Sequence, residues 1–204
     1  MILQPFGPLI YQETITNEHL EYLKDLAESS REHGQNVGDS LAGNIQEQFK
    51  IVGDSEKFNN FMYPHVFSYM ESIMDRWEKH SINPGDTTIK ELTYHYGRGP
   101  WINFQHKNEF NPVHVHTGDL SSVVMIDIPE EIAAEEPVTS NMPCAGQLEF
   151  IEGSSGFWCS GTHKVVPKTG DIFLFPNTLK HTVYPFKSDV ERITMSFNIY
   201  DIKT

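Results

Sequence analysis

The second half of this sequence is built from short segments rich in β-branched and aromatic residues, separated by glycine, proline, asparagine and aspartate. Such segments predict β-strands, and the residues between them predict turns. The predicted strands are Thr88–Tyr96, Trp101–His106, Val113–His116, Ser121–Ile128, Gln147–Ile151, Thr162–Val166, Ile172–Phe175 and Arg192–Tyr200. This succession of short strands favours an antiparallel β-sandwich or jelly roll, with the preceding helices packed on one of its sheets.

The first 80 residues have the apolar spacing of helices. Thr16 or Asn17 can cap a first helix, in which apolar residues recur every three or four positions. Ser55 can cap a second helix, and Pro64 is expected to kink or restart it. The aromatic and methionine residues of these helices are interpreted as core packing.

The length of 204 residues fits a single domain spanning residues 1–204. We predict a mainly β protein in which residues 1–86 form a helical N-terminal support and residues 87–204 form the β core. Residues 129–145 are acidic, contain proline and lack periodicity, so they are predicted to be a long surface loop.

Charge and composition limit the classes of partner that we expect for this protein. The chain has 15 Lys and Arg residues against 28 Asp and Glu, a net charge of −13, and no basic cluster, so nucleic acid is not the expected partner. No segment approaches the roughly 20 apolar residues of a membrane span. Cys144 and Cys159 form no CxxC motif and are expected to be reduced thiols. The first residues lack the basic region of a signal peptide, which favours a cytoplasmic protein.

The first candidate for chemistry is the segment His114-Val-His116. Residues i and i+2 of a strand point to the same face, so the two imidazoles can converge on one point. Asp119 follows three residues later, across a glycine turn. A pair of histidines on a solvent-exposed face would show the same spacing.

Two later segments complete a pattern. His181 follows the apolar segment that ends at Pro176, where a lone histidine is usually structural. The segment 192–198 alternates, so Arg192 and Thr194 share one polar face, which either meets solvent or lies in a barrel mouth where the guanidinium can hold a carboxylate. An HxH motif, a histidine 65 residues later and an arginine 11 residues after that suit non-haem Fe(II) oxygen chemistry on a jelly roll.

These segments resemble the Fe(II)- and 2-oxoglutarate-dependent dioxygenases, and most closely an oxygenase subfamily of marine bacteria and their phages. The matching segments are Trp101-Ile-Asn103, Asn111-Pro-Val-His-Val-His116, Leu120-Ser121, Pro167-Lys-Thr-Gly170, Phe175-Pro176, His181 and Arg192-Ile-Thr-Met-Ser-Phe-Asn198. The resemblance covers roughly residues 90–200, with weaker similarity around Ser40-Leu-Ala-Gly-Asn44. It implies a double-stranded β-helix (jelly roll), Fe(II) as the metal and 2-oxoglutarate as co-substrate. If the gene is carried by a phage, the protein would act in the host cytoplasm.

The resemblance also implies roles for individual residues. His114 and His181 match the two metal histidines, Arg192 matches the residue that pairs with the distal carboxylate of 2-oxoglutarate, and Thr194 is its hydrogen-bonding neighbour. This sequence departs from the family because His116 stands where most members have Asp or Glu. Either His116 is the third ligand, or Asp119 replaces it, or water completes a two-histidine site; we favour His116.

The expected activity is an oxidoreductase reaction that consumes O2 and converts 2-oxoglutarate to succinate while hydroxylating an unidentified substrate. A protein side chain and a small molecule are both candidates for that substrate. Asn103 and Tyr96 are weaker candidates for contacts to the co-substrate, because core packing also explains them. The alternative function is a cupin-type metal-binding protein or an inactive binding module on the same fold. A cupin, however, places its second histidine only a few residues after Pro-x-Gly, and has no role for Arg192.

Overall fold

The computed structural model describes residues 7–80, 85–135 and 143–204. The helices in these ranges are α1 (Asn17–His33), α2 (Ser55–His80) and α3 (Glu130–Ala133), with a 3-10 helix at Gly38–Ser40. The strands are β1 (Tyr11–Thr14), β2 (Glu47–Lys50), β3 (Thr93–His95), β4 (Trp101–Gln105), β5 (Asn111–His114), β6 (Leu120–Asp127), β7 (Leu148–Ile151), β8 (Thr162–Val165), β9 (Asp171–Pro176), β10 (Lys180–Val183) and β11 (Arg192–Lys203).

The strands form two antiparallel sheets. The larger sheet has the order β1-β9-β6-β11-β4-β2, with β3 paired to the end of β11, and the smaller sheet has the order β5-β10-β7-β8. Strands that are distant in sequence are neighbours in both sheets, as in a jelly roll. The predicted double-stranded β-helix is therefore confirmed.

Strand β9 explains how the layers are held together. Ile172 and Leu174 belong to the apolar cluster that includes the buried faces of α1 and α2. Phe173 and Phe175 point the other way and contact Phe150 of the smaller sheet. A strand that is buried on both faces has a continuous apolar sequence instead of an alternating one. The two helices thus pack on the outer face of the larger sheet, as predicted.

Two strands lie in the region predicted to be helical. β1 pairs with β9, and β2 pairs with β4 at the edge of the larger sheet. Their sequences, Tyr-Gln-Glu-Thr and Glu-Gln-Phe-Lys, are short and mostly polar, so they carry little strand signal. They are set by pairing with distant strands, which outweighs local propensity.

The helix predictions were close but not fully correct. The side chain of Thr16 caps α1 by accepting from the N–H of His19 at 3.2 Å, as expected. Asp54, and not Ser55, caps α2, because its Oδ1 accepts from the backbone N–H groups of Glu56 and Lys57. No new helix starts at Pro64, since α2 continues through it to His80.

Two other predicted segments differ from the structure. The strand expected over residues 88–96 is reduced to β3, because residues 85–92 are irregular. The loop expected over residues 129–145 begins with the short helix α3, and its residues 136–142 lie outside the described ranges. No helix in the described ranges is long and apolar enough to cross a membrane.

Ser30 joins α1 to the end of β2. Its buried hydroxyl donates to the carbonyl of Leu26 at 2.6 Å and accepts from the N–H of Val52 at 3.2 Å. We expect Ser30→Ala to lower the free energy of unfolding by about 1 kcal/mol, because the Val52 N–H loses its partner. The matched control is Ser72→Ala, whose hydroxyl bonds only the preceding helical turn and which should change stability by less than about 0.5 kcal/mol. Urea denaturation of the three proteins measures both values, and equal effects would contradict this role of Ser30.

Candidate metal centre and co-substrate cavity

A cavity of about 460 Å³ lies between the two sheets. The larger sheet contributes alternate side chains that share one face, because Gln48 of β2, Asn103 of β4 and Thr194 of β11 are cross-strand neighbours. The smaller sheet contributes His181 and His114. The alternation predicted for residues 192–198 therefore faces this cavity and not bulk solvent.

Three histidines converge on the cavity. His114 ends β5 and lies directly opposite His181 of β10 in the register of the smaller sheet, and His116 follows two residues later. One ligating nitrogen from each of these residues lies within 4.8 Å of the other two. The Nε2 atoms of His116 and His181 are 3.2 Å apart. The sheet register thus brings together His114 and His181, which are 67 positions apart in sequence.

Backbone carbonyls orient two of these imidazoles. Nδ1 of His114 is 2.7 Å from the carbonyl oxygen of Pro112, and Nδ1 of His181 is 2.9 Å from that of Leu179. A carbonyl only accepts, so each Nδ1 carries the proton and each Nε2 keeps its lone pair. Fixing the tautomer in this way is the usual support for a metal-ligating histidine.

The imidazoles are held in their neutral form. Burial, and secondarily the repulsion between neighbouring imidazoles, lowers the pKa of His116 to about 3 and that of His181 to about 4. Burial also lowers the pKa of His114. Neutral imidazole is the form that binds a metal ion. Three neutral nitrogen donors with open positions around them are a donor set that accommodates Fe(II).

Asp119 lies outside this cluster. Its carboxylate accepts a hydrogen bond from the backbone N–H of Ile202 at 3.0 Å. The turn that leads to it contains Gly118 at φ +102°, where a Cβ would lie 2.7 Å from the carbonyl oxygen of Ile199. This glycine lets the chain turn tightly onto β11 and directs Asp119 to that strand. In the described ranges, the group that could hold a metal consists of the three histidines alone.

Arg192 is the largest fully buried side chain in the described structure, and it lines the same cavity. Its Nη1 donates to the carbonyl of Gly146 at 2.7 Å, and its Nη2 is 3.4 Å from the sulfur of Met125. Its Nε has no partner, and no carboxylate in the described ranges forms an ion pair with it. Burial lowers the pKa of the guanidinium to about 10, so it stays charged at neutral pH. A buried cation with an unpaired donor fits a carboxylate ligand.

Asn103 connects the polar groups next to Arg192. Its side-chain oxygen accepts from Gln48 at 2.7 Å and from the indole of Trp101 at 3.1 Å. Its amide donates to the hydroxyls of Thr194 at 3.1 Å and Ser196 at 3.2 Å. Asn103 and Thr194 therefore lie where the sequence predicted a polar site, and Thr194 is one of four side chains that Asn103 bonds.

Sequence reasoning missed Gln48 because β2 was not predicted. Its side-chain oxygen is buried without a partner, as is the hydroxyl of Ser122, and both residues line the cavity. Tyr96, by contrast, does not line the cavity. Its ring packs against Phe58 and Phe197, and its hydroxyl donates to Asn59 at 3.3 Å, so the structure places it in the apolar core beside α2.

Solved structures share this fold at low sequence identity. A prolyl-4-hydroxylase from Pseudomonas putida aligns over 93% of this chain and 91% of its own, with 13% identity and a TM-score of 0.50. A 2OG-Fe(II) oxygenase family protein from Burkholderia pseudomallei aligns over 94% and 85%, with 12% identity and a TM-score of 0.53. A prolyl hydroxylase from Trichoplax adhaerens, solved with a hypoxia inducible factor peptide fragment, aligns over 96% and 84%, with 13% identity and a TM-score of 0.52. No curated protein matches this sequence.

A double-stranded β-helix with three converging histidines in its cavity is a fold and a donor set that can hold a metal ion. The sequence makes the assignment more specific, because residues 99–198 match the family model described as "Putative 2OG-Fe(II) oxygenase". Residues 99–198, which include the three histidines and Arg192, belong by sequence to the 2-oxoglutarate- and Fe(II)-dependent oxygenases, for which the metal and co-substrate are Fe(II) and 2-oxoglutarate.

Proposed function

We propose that this protein hydroxylates a second substrate while it converts 2-oxoglutarate to succinate, and that His114, His116 and His181 are its metal ligands. The observation that carries the proposal is the presence of three neutral, converging imidazoles and a buried, unpaired Arg192 in one cavity. Polar and charged groups that are buried without a partner cost free energy. A dicarboxylate that binds the metal with one end and Arg192 with the other would provide partners for both features.

Bound Fe(II), with 2-oxoglutarate and O2, supplies the oxidising power needed to insert oxygen into a C–H bond. The chain's own residues bind the metal and the co-substrate and orient them. The carbonyls of Pro112 and Leu179 hold the imidazoles of His114 and His181 with Nε2 towards the cavity. Removal of a hydrogen atom from the substrate needs no general base in the protein, which agrees with the absence of carboxylates among the described residues of the cavity wall.

Arg192 is assigned to the distal carboxylate of 2-oxoglutarate. Its Nε is free, and Thr194 lies two residues further along the same face of β11. The hydroxyl of Thr194 accepts from Asn103, which leaves its proton available for the same carboxylate. Asn103 is then a positioning residue, because it holds Thr194 and Ser196 in place through its amide.

The substrate of the proposed hydroxylation is a small molecule or a protein side chain. The Trichoplax neighbour was solved in complex with a peptide fragment, which supports a peptide as one candidate. The volume of about 460 Å³ also leaves space for a small molecule beside the co-substrate.

Succinate formation tests the proposal. Purified protein with Fe(II), O2 and 2-oxoglutarate is expected to form succinate slowly alone and faster with a substrate from a metabolite and peptide screen. His33→Ala, which removes an exposed histidine of α1, is the matched control and should retain this turnover. Fe(II) binding without any succinate, in the parent and across the screen, would favour the alternative of a metal-binding protein without oxygenase activity.

A further inference from the structure

The wall of the cavity differs in charge from the rest of the molecule. The chain has 28 Asp and Glu residues, yet none of the described residues that line the cavity is acidic. The charged residues of the lining are Lys50, Arg98 and Arg192. A cationic cavity in a protein with a net charge of −13 is not a consequence of composition, and therefore indicates a ligand of negative charge.

Lys50 and Arg192 lie at different parts of the cavity. In the register of the larger sheet Arg192 is opposite Gln105, whereas Lys50 is opposite Trp101, four residues away along β4. Four residues of a strand span about 13 Å. The ammonium group of Lys50 lies against the turn at Gly99, beyond the Trp101 end of β4, and is therefore directed away from Arg192. The assignment of Arg192 to 2-oxoglutarate thus leaves Lys50 without a ligand.

Lys50 is on the side of the metal centre. Its cross-strand neighbour Trp101 has its ring 6.4 Å from the ring of His116. Lys50 and His116 therefore line the same side of the cavity. This is the position from which a side chain can orient a second substrate towards the metal.

Arg98 is held next to Lys50 by a tight turn. The N–H of Gly99 donates to the carbonyl of Tyr96 at 3.0 Å, and Gly99 has φ +86°. A Cβ at Gly99 would lie 3.2 Å from Cε and 3.9 Å from Nζ of Lys50, so the ammonium group lies against this turn. Within the described ranges neither Lys50 nor Arg98 forms an ion pair with a carboxylate.

We propose that the second substrate of this oxygenase is an anion, and that Lys50 and Arg98 bind its carboxylate or phosphate group at the mouth of the cavity. This inference rests on the proposed function. Two neighbouring cations without acidic partners repel each other, and an anionic oxygen group relieves that repulsion while accepting hydrogen bonds from both. A cationic substrate would meet only positive charge in the described lining, and it is the class that this cavity disfavours most.

The test compares acids with their neutral analogues on the Fe(II) protein saturated with 2-oxoglutarate under anaerobic conditions. The probes are 3-phenylpropanoate against 3-phenylpropanamide, and phenyl phosphate against phenol. We expect at least one anion to bind about tenfold more tightly than its neutral partner, since one charge-assisted hydrogen bond gives a difference of this size. The arm with the larger ratio shows whether the group is a carboxylate or a phosphate.

The variants assign the effect to the two cations. In Lys50→Met/Arg98→Met the ratio between anion and neutral analogue should fall to within about twofold. Lys79→Met, which removes an exposed lysine of α2, should keep the parent ratio. Equal affinities for each pair in the parent, or an unchanged ratio in the double variant, would overturn the inference.

Binding of 2-oxoglutarate separates this inference from the proposed function. The double variant should bind 2-oxoglutarate as the parent does, because Arg192 is intact. Weaker 2-oxoglutarate binding in Lys50→Met/Arg98→Met would show that these cations serve the co-substrate, and would overturn the inference while leaving the oxygenase in place. A parent protein that binds no 2-oxoglutarate would instead contradict the proposed function.

Discussion

Replacing Arg192 with alanine is expected to weaken 2-oxoglutarate binding by roughly thirty- to a thousand-fold, which corresponds to about 2–4 kcal/mol. The guanidinium is fully buried and retains a free Nε, so a carboxylate there gains a charge-assisted pair that water does not screen. Fe(II) affinity should remain nearly constant, because Arg192 makes no contact with the three histidines. Arg192→Lys keeps the charge but loses the planar fork, and should show an intermediate loss.

If Arg192 had a structural role instead, its replacement would lower the stability of the protein. Arg192 has no acidic partner in the described ranges, so the free protein carries a buried charge that only Gly146 and Met125 contact. Replacing a poorly paired buried charge with an apolar residue of similar length is often neutral or stabilising. We expect Arg192→Met to lose 2-oxoglutarate binding and to unfold at a denaturant concentration no lower than that of the parent. Identical 2-oxoglutarate titrations for parent and Arg192→Ala would remove this residue from the site.

The second large effect is expected at the metal centre. His114→Ala and His181→Ala should each weaken Fe(II) binding by more than about a hundredfold, since even loss of a residue that only supports a ligand typically costs 10- to 100-fold. The Nδ1 atom of each imidazole is engaged by a backbone carbonyl, and the described residues offer no fourth ligand beside the three histidines. Anaerobic calorimetry measures the affinities, with His33→Ala as the matched control. Parent-like Fe(II) binding in either variant would place the metal elsewhere.

Substitutions of His116 distinguish the possible sets of metal ligands. If it is the third ligand, His116→Ala should weaken Fe(II) binding, and His116→Asp should preserve a metal site with the carboxylate found in most family members. Asp119 is already bonded to the backbone of β11, which favours His116 over that alternative. Full Fe(II) affinity in His116→Ala would favour water or a rearranged Asp119 as the third ligand.

The sequence alone predicted the parts of the site that lie within single short segments. An i, i+2 histidine pair and an alternating segment that begins at Arg192 are local patterns. The alternating residues lie on the predicted face of β11, and both histidines line the cavity, although β5 ends at His114 and His116 lies beyond the strand that was predicted to contain it. What these patterns could not show is whether the faces meet solvent. That depends on the other sheet, since Arg192 is buried by groups such as Gly146 that lie far away in sequence.

The parts that escaped prediction depend on long-range pairing. β2 consists of four mostly polar residues whose strand conformation comes from pairing with β4, so Gln48 and Lys50 had no recognisable signal in the sequence. Tyr96 is a sequence candidate for the co-substrate as a residue near the mouth of the barrel. It directly follows β3, which pairs with the end of β11, and its ring packs against Phe58 of α2. Chain proximity to the motif was therefore a poor guide to proximity in space.

The most direct test of the central claim is anaerobic addition of 2-oxoglutarate to the Fe(II) protein, followed by visible absorption. Chelation of Fe(II) by the keto acid is expected to produce a broad band towards the red end of the spectrum. The band should appear in the parent and in His33→Ala, require higher 2-oxoglutarate in Arg192→Lys, and be absent in His181→Ala. A parent protein that binds both Fe(II) and 2-oxoglutarate without this band, or a band that persists in His181→Ala, would contradict the site described above.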